Sequence, residues 1–288
     1  MSGARPRLLV VGAGGQLGGA AAAQLASAYD VVALARRDLD VRDAAAVARA
    51  VRAAAPRVVL NCSAYNRVDD AEREVVEALA TNALGVLALG RAAAEAGAVF
   101  VHYSTDFVFD GRAARPYVED DRPNPLSAYG MSKLLGELLV RHLPRTYILR
   151  VESLFGGTPA KGSLDRIVAG IAAGEEVRVF VDRTVTPSYV PDVVEATRAL
   201  VERGAAPGTY HVVNSGTATW EEIALEAARL MGRAPRLVRA RMSETALPAP
   251  RPLYCALSNA KLARAGVAMP PWQDALARHL RARGLAAS

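Results

Sequence analysis

Apolar residues gather in short blocks through the first half of the chain, at 7–11, 31–35, 58–61, 99–103 and 146–151. Val, Leu and Ile dominate these blocks, with little polar alternation, as expected of strands covered on both faces. Between them, apolar positions recur at helical spacing over 16–28, 44–53, 72–96 and 127–142. The 72–96 stretch fits one long helix or two stacked pieces. This β–α alternation predicts an α/β fold, a Rossmann-type doubly wound parallel sheet with helices on both faces.

The second half is interrupted by Pro and Gly at 156–162, 187, 191, 207 and 248–252. Helices are predicted at 164–173, 192–202, 220–231 and 272–283, and short strands at 177–181 and 209–213. The division expected is a Rossmann domain over 1–151 and a smaller C-terminal lobe over 152–288, some of whose segments return to the first domain.

Composition narrows the class. Of 288 residues, 51% are hydrophobic and 22% charged, a globular balance. No uninterrupted apolar run approaches bilayer thickness, and Gly12 stops the first apolar block before it can serve as a signal core. A cytoplasmic location and no membrane partner are therefore expected. Net charge is +6, carried almost wholly by scattered arginine, since lysine occurs only at Lys133, Lys161 and Lys261. With no basic block, no nucleic-acid partner is expected. The two cysteines, Cys62 and Cys255, have no metal-ligand spacing, so neither a metal nor a disulfide framework is expected.

Two motifs carry chemistry. The first strand runs into Gly12-Ala13-Gly14-Gly15-Gln16-Leu17-Gly18, with a helix following. Gly12 permits the tight turn, Gly15 lets backbone approach a pyrophosphate, and Gly18 allows close helix–strand packing. After the second strand, Arg36 and Arg37 stand where an acid would select NAD. Guanidinium suits a ribose 2′-phosphate, so NADP(H) is expected over NAD(H). The second motif is Tyr129-Gly130-Met131-Ser132-Lys133, which puts a phenol and an ammonium on one helical face. A tyrosine can protonate a carbonyl oxygen as hydride reaches carbon, and a neighbouring ammonium is expected to lower its pKa. Thr105, in the Ser-Thr-Asp run after the fourth strand, is the expected third donor.

With these motifs in place, the chain resembles the extended short-chain dehydrogenase/reductase superfamily, nearest the dTDP-4-dehydrorhamnose reductase family. The resemblance rests on the 12–18 turn, Leu39-Asp40-Val41, Asn61 to Tyr65 with Val68-Asp69, Thr81-Asn82-Ala83, and the run from Ser104 to Gly111. It continues through Tyr129 to Lys133 with Gly136-Glu137, Pro187-Ser188-Tyr189, Gly208 to His211, Arg251-Pro252 and Trp272. It implies an NADPH-dependent reductase of a nucleotide-linked 4-keto-6-deoxy sugar. Thr105, Tyr129 and Lys133 would be its catalytic trio. Gly12, Gly15, Gln16 and Leu17 would hold the pyrophosphate, and Asp40 and Val41 would border the adenine. Cys62, Ser63, Ala64 and Tyr65 would line the cofactor groove, which Tyr129 and Lys133 would also reach. Val68, Asp106 and Phe107 would touch the sugar. Asn82 would fix local backbone or a relay water.

Arg183 and Arg251, in irregular segments of the second half, are candidates for a substrate diphosphate. Glu74 and Glu77 read as a solvated helix face, His211 as a packed strand residue, and Trp220 and Trp272 as packing anchors. One departure concerns substrate. After the fifth strand the family reads Arg-Thr-Ser-Trp, and this chain reads Arg150-Val151-Glu152-Ser153. Ser153 replaces an aromatic wall at the sugar, with an acid beside it. Two other readings stay open: a non-catalytic NADP-binding regulatory subunit, and a reductase of a non-sugar carbonyl. A homodimer is also left open.

Overall fold

The computed structural model describes residues 5–287. The first half alternates strand and helix as β1 (Arg7–Val11), α1 (Gln16–Leu25), β2 (Asp30–Leu34), α2 (Ala44–Ala54) and β3 (Val58–Asn61). α3 (Val75–Leu79) continues through a π turn at Ala80–Leu84 into α4 (Gly85–Glu95). The 72–96 stretch is therefore one interrupted helix rather than a stacked pair. β4 (Val99–Thr105), α5 (Ala128–Val140) and β5 (Thr146–Val151) follow.

Beyond β5 come β6 (Leu154–Phe155), α6 (Ser163–Ala173), β7 (Glu176–Phe180), β8 (Thr184–Val185), β9 (Ser188–Tyr189) and α7 (Val190–Glu202). The chain ends with β10 (Gly208–His211), β11 (Ala218–Thr219), α8 (Trp220–Leu230), β12 (Arg236–Ala240), α9 (Ala260–Arg264) and α10 (Trp272–Ala282).

The main sheet has six strands in the order β10-β5-β4-β3-β1-β2, every pairing parallel. Period-two alternation in β1 shows why both faces are covered. Leu8 and Val10 enter a cluster with Leu17, Ala21 and Leu25 of α1 and Val193 and Leu200 of α7. Leu9 and Val11 enter the opposite cluster with Val47 and Val51 of α2 and Val86 and Leu89 of α4. β1 lies between β2 and β3, so the chain reverses its winding there. That point is where open parallel sheets bind ligands, beyond the strand carboxyl ends.

A separate core forms from residue 155 onward, joining Phe155, Ile167 and Ile171 to Ile223, Leu276 and Leu280 of α6, α8 and α10. The small β7–β12 pair lies against it. α7 and β10 belong instead to the main sheet: α7 packs on α1, and β10 pairs with β5.

The helical run Val75–Glu95 is long and apolar enough to cross a membrane, with mean hydropathy 1.3 over its most apolar window. It carries Glu77 and Arg91, and its segments pack against α2 and α5.

Candidate active site

The turn after β1 is built from backbone that tolerates no side chain at two places. Gly12 has φ +87°, and a Cβ there would sit 2.6 Å from Ser63 N. A Cβ on Gly18 would come 2.4 Å from Gly12 O. Both distances are shorter than real Cβ contacts, so glycine is required for the β1–α1–β3 approach. At Gly15 the nearest protein atom to a Cβ would be Gly12 O at 3.4 Å, so the protein itself leaves that side open. The amino end of α1 starts there. Leu17 is buried in the core, which leaves only its backbone for a ligand. Gln16 Nε2 donates to Asp165 Oδ2 at 3.2 Å, tying the turn to the start of α6.

A groove of about 720 Å³ opens over this turn, within the size range of ligand sites. It brings together Gly12, Gly15, Arg36, Arg37, Asp40 and Val41 with Cys62, Ser63, Ala64 and Tyr65. The shape of its 62–65 wall is set by two buried asparagines. Asn61 Oδ1 accepts from the Ser63 amide at 3.0 Å and the Ser63 hydroxyl at 2.6 Å. Asn82 Oδ1 accepts from Tyr65 N, and its Nδ2 donates to Tyr65 O and Ser132 Oγ, each at 2.9 Å. Asn82 sits in the π turn, an irregularity that often marks functional sites.

Arg36 and Arg37 are exposed at the groove edge, and Arg37 has only a loose 3.7 Å pairing with Asp38. Asp40 is held by Arg42, whose hydrogen bonds bring its carboxyl down to about 2. Val41 is buried beneath Gly85, where a Cβ would clash with its side chain at 2.8 Å. Glu74 and Glu77 are exposed, as expected, and both carry ion pairs. Glu74 accepts from Tyr65 at 2.8 Å and Arg67 at 2.6 Å, and Glu77 pairs with Arg42 along the groove.

The second constellation stands where β4 ends. Ser127 caps α5 by accepting from Gly130 N at 3.1 Å, and Glu72 Oε1 accepts from Ala128 N at 2.8 Å. Gly130 lets α5 press on the segment after β4, since a Cβ there would lie 2.3 Å from Phe107 O. The buried Arg150–Glu137 ion pair, 2.7 Å, ties α5 to β5. Tyr129 then meets Phe107 edge-on at 5.6 Å, beside Thr105. Thr105 Oγ1 donates to Asp106 Oδ1 at 2.9 Å and accepts from Phe107 N at 3.2 Å.

The electrostatics differ from the expectation. Lys133 is buried and donates to the Tyr103 carbonyl oxygen at 2.7 Å, so the ammonium does not lower the Tyr129 pKa. Burial first, and then the Asp106 charge, push Tyr129 up to about 12, against a smaller downward pull from the Thr105 hydroxyl. Burial pushes Lys133 down to about 8, partly opposed by Glu137.

Phe107 is also flanked by both candidate arginines, Arg183 at 5.4 Å and Arg251 at 5.8 Å from its ring. Arg251 Nη2 pairs with Asp69 Oδ1 at 2.9 Å, fastening the 249–251 segment over the site, and Val68 is half-buried next to that aspartate. Arg183 turns inward, 3.9 Å from Asp106 Oδ2 and 3.4 Å from Cys255 Sγ. Ser153 is half-buried in the left-handed region at φ +45°.

Three features escaped the sequence reading: the Tyr103 carbonyl that takes Lys133, the Asp69–Arg251 pair, and the burial of Glu152 and Cys255 beside Asp106. The first is backbone and carries no sequence mark. The others join residues distant in the chain, with Arg251 and Cys255 more than 100 positions from Asp69 and Asp106, although the Asp69 and Arg251 motifs were both visible.

His211 is packed in the core, as expected. Trp220 and Trp272 are both buried at helix starts.

The RmlD substrate binding domain family model matches residues 6–284. A dTDP-4-dehydrorhamnose reductase of Streptomyces griseus is 39% identical over 286 residues, covering 94% of this chain and 92% of that protein. A Streptomyces antibioticus protein named "Probable dTDP-4,6-dihydroxy-2-methyloxan-3-one 4-ketoreductase" is 36% identical over 277 residues, covering 94% and 93%. The solved dTDP-4-dehydrorhamnose reductase of Bacillus anthracis, in complex with NADP, superposes with TM-score 0.92 at 30% identity, covering 96% of this chain and 99% of that one. With its glycine turn, its groove and its Thr–Tyr–Lys constellation, the chain belongs to the RmlD substrate binding domain family.

Proposed function

We propose that the chain is an NADPH-dependent reductase of a nucleotide-linked 4-keto-6-deoxy sugar, with Tyr129 as the proton donor. The single observation that carries this reading is the placing of Thr105 beside Tyr129 at the end of β4, with Lys133 held on the Tyr103 carbonyl oxygen and facing Cys62 of the groove that starts at Gly12. Reduction of a nucleotide sugar by a nicotinamide dinucleotide accords with the named relatives.

Gly12, Gly15, Gln16 and Leu17 would hold the pyrophosphate, the last two through backbone at the helix start. Asp40, Val41 and the 62–65 wall would border the rest of the dinucleotide. Arg36 and Arg37 would take the 2′-phosphate, and their exposure leaves them free to do so. NADPH, when bound, supplies the hydride that reaches the carbonyl carbon.

Tyr129 gives its proton to the carbonyl oxygen. A phenol pushed up to about 12 is fully protonated at neutral pH but a weaker acid than a free tyrosine, so it gives up its proton only as negative charge builds on the carbonyl oxygen. Thr105, whose one hydroxyl hydrogen points to Asp106 Oδ1 before substrate binds, would turn it to that oxygen as charge develops there. Lys133, held on the Tyr103 carbonyl oxygen, would reach the nicotinamide ribose with its remaining hydrogens.

The lobe after residue 152 would cover the sugar. Val68, Asp106, Phe107 and Ser153 would line it, and Arg251, swung from Asp69, would meet the diphosphate. Arg183 already faces Asp106, which supports a role inside the site more than at the phosphate.

The enzyme would work in the cytoplasm, away from membranes and nucleic acid. A homodimer is supported by the exposed apolar side chains Val76, Leu84, Met131 and Leu138 on neighbouring helices. The test is NADPH consumption against a panel of nucleotide 4-keto sugars. Turnover of at least one with Tyr129 intact supports the reading. Activity only on non-sugar carbonyls, or only as a partner to another enzyme, overturns it.

A further inference from the structure

Below Thr105 lies a closed cluster that the mechanism has not used. Asp106, Glu152 and Cys255 each place one polar atom within 4.8 Å of the others, and all three are buried. Glu152 Oε2 accepts from Thr186 N at 2.7 Å, and Asp106 Oδ1 accepts from Thr105. The remaining oxygens, Glu152 Oε1 and Asp106 Oδ2, are both buried without a hydrogen-bond partner. Such orphaned acceptors cost free energy that native structures rarely leave unpaid.

We propose that Glu152 is a positioning residue of the catalytic site: its carboxylic acid donates a hydrogen bond to Asp106 and so fixes the carboxylate that holds Thr105. The polar atoms of the cluster lie within 4.8 Å of one another, so a small side-chain closure around one shared proton would satisfy both orphaned oxygens. That proton also balances charge. Arg183, 3.9 Å from Asp106 Oδ2, supplies one positive charge, enough for one carboxylate and not for two.

The groups facing Glu152 agree. Asp106 from the end of β4 adds negative charge, Arg183 before β8 adds positive charge, and Cys255 and Tyr254 approach from the C-terminal segment. Burial and the Asp106 charge outweigh Arg183 and push the Glu152 carboxyl well above the usual range. The same three side chains could in principle ligate a divalent cation. Arg183, bonded to Cys255 Sγ at 3.4 Å, puts a fixed positive charge beside that place and favours the proton.

The proposal rests on the reductase reading for the role of Thr105, but its primary test needs no substrate. Infrared spectra of the full chain with NADPH bound are recorded at neutral pH in water and heavy water. The wild type is expected to show a carboxylic-acid C=O band that shifts on deuteration, and Glu152→Gln and Glu152→Ala are expected to lack it. With dTDP-4-dehydrorhamnose, Glu152→Ala should lower kcat about tenfold with KM little changed. Glu152→Gln keeps a donor to Asp106 and should recover most of that loss, whereas Glu152→Met, which fills similar space without a donor, should not. No such band in the wild type, or a band that survives in both variants, overturns the proposal. So does a stoichiometric divalent metal that resists dialysis in the wild type and is absent from Glu152→Ala. If neither this sugar nor any other of the panel is turned over, the reductase reading fails while the band still decides the carboxyl pair.

Discussion

Lys133 Nζ donates to the Tyr103 carbonyl oxygen at 2.7 Å, inside the fold and one strand turn from Thr105. Its charge is buried, and burial brings its pKa down to about 8 from 10.5. The folded state therefore binds this proton more weakly than the unfolded chain. Stability from this group rises as pH climbs from about 8 to 10.5, because only the unfolded state still holds the proton there. Lys133→Met removes the effect. The stability of Lys133→Met minus that of the wild type should fall by roughly 2–3 kcal/mol across that window. Denaturant midpoints of both proteins at pH 7.5 and 10.5 check this. A difference that stays constant or grows contradicts it.

Arg36 and Arg37 stand exposed at the groove edge, with no strong partner among the described residues to outcompete a phosphate. Arg36→Ala/Arg37→Ala should weaken NADPH binding by about 1.5–3 kcal/mol and leave NADH binding nearly unchanged. Fluorescence titration of both cofactors measures it. Equal losses for the two would remove the 2′-phosphate role.

Ser153 occupies the place of an aromatic wall in the family pattern. Ser153→Trp should raise kcat/KM for dTDP-4-dehydrorhamnose severalfold, provided the left-handed backbone at φ +45° is kept. The wild type should favour a bulkier or more polar sugar. If the wild type already turns this sugar over efficiently and the Trp variant does no better, the departure is neutral.

The first half of the fold was legible because its signals are local. Period-two burial in β1 and helical spacing in α2 and α4 each need only a short window. The glycine turn was legible from its spacing, and at Gly18 the cause is local, since a Cβ there would meet Gly12 O, while Gly12 answers to Ser63 from a distant strand end. The boundaries moved by a residue or two at β2, β7 and β10, where edge strands end by hydrogen bonding rather than by composition. What sequence could not show was long-range pairing. Asp69 meets Arg251 and Gln16 meets Asp165 only because the second half folds back over the sheet. The state of Tyr129 was misjudged because helical spacing put Lys133 beside it, while the ammonium found a backbone carbonyl instead.

The central claim is that Tyr129 supplies the proton for carbonyl reduction. It is tested most directly by NADPH oxidation with dTDP-4-dehydrorhamnose, or the best sugar of the panel, in the wild type and in Tyr129→Phe. The substitution removes one hydroxyl from a ring that already packs on Phe107, so the fold and NADPH affinity should hold. The account predicts a loss in kcat of about 10²-fold or more with unchanged cofactor binding. Near-normal turnover by Tyr129→Phe on its true substrate would contradict it.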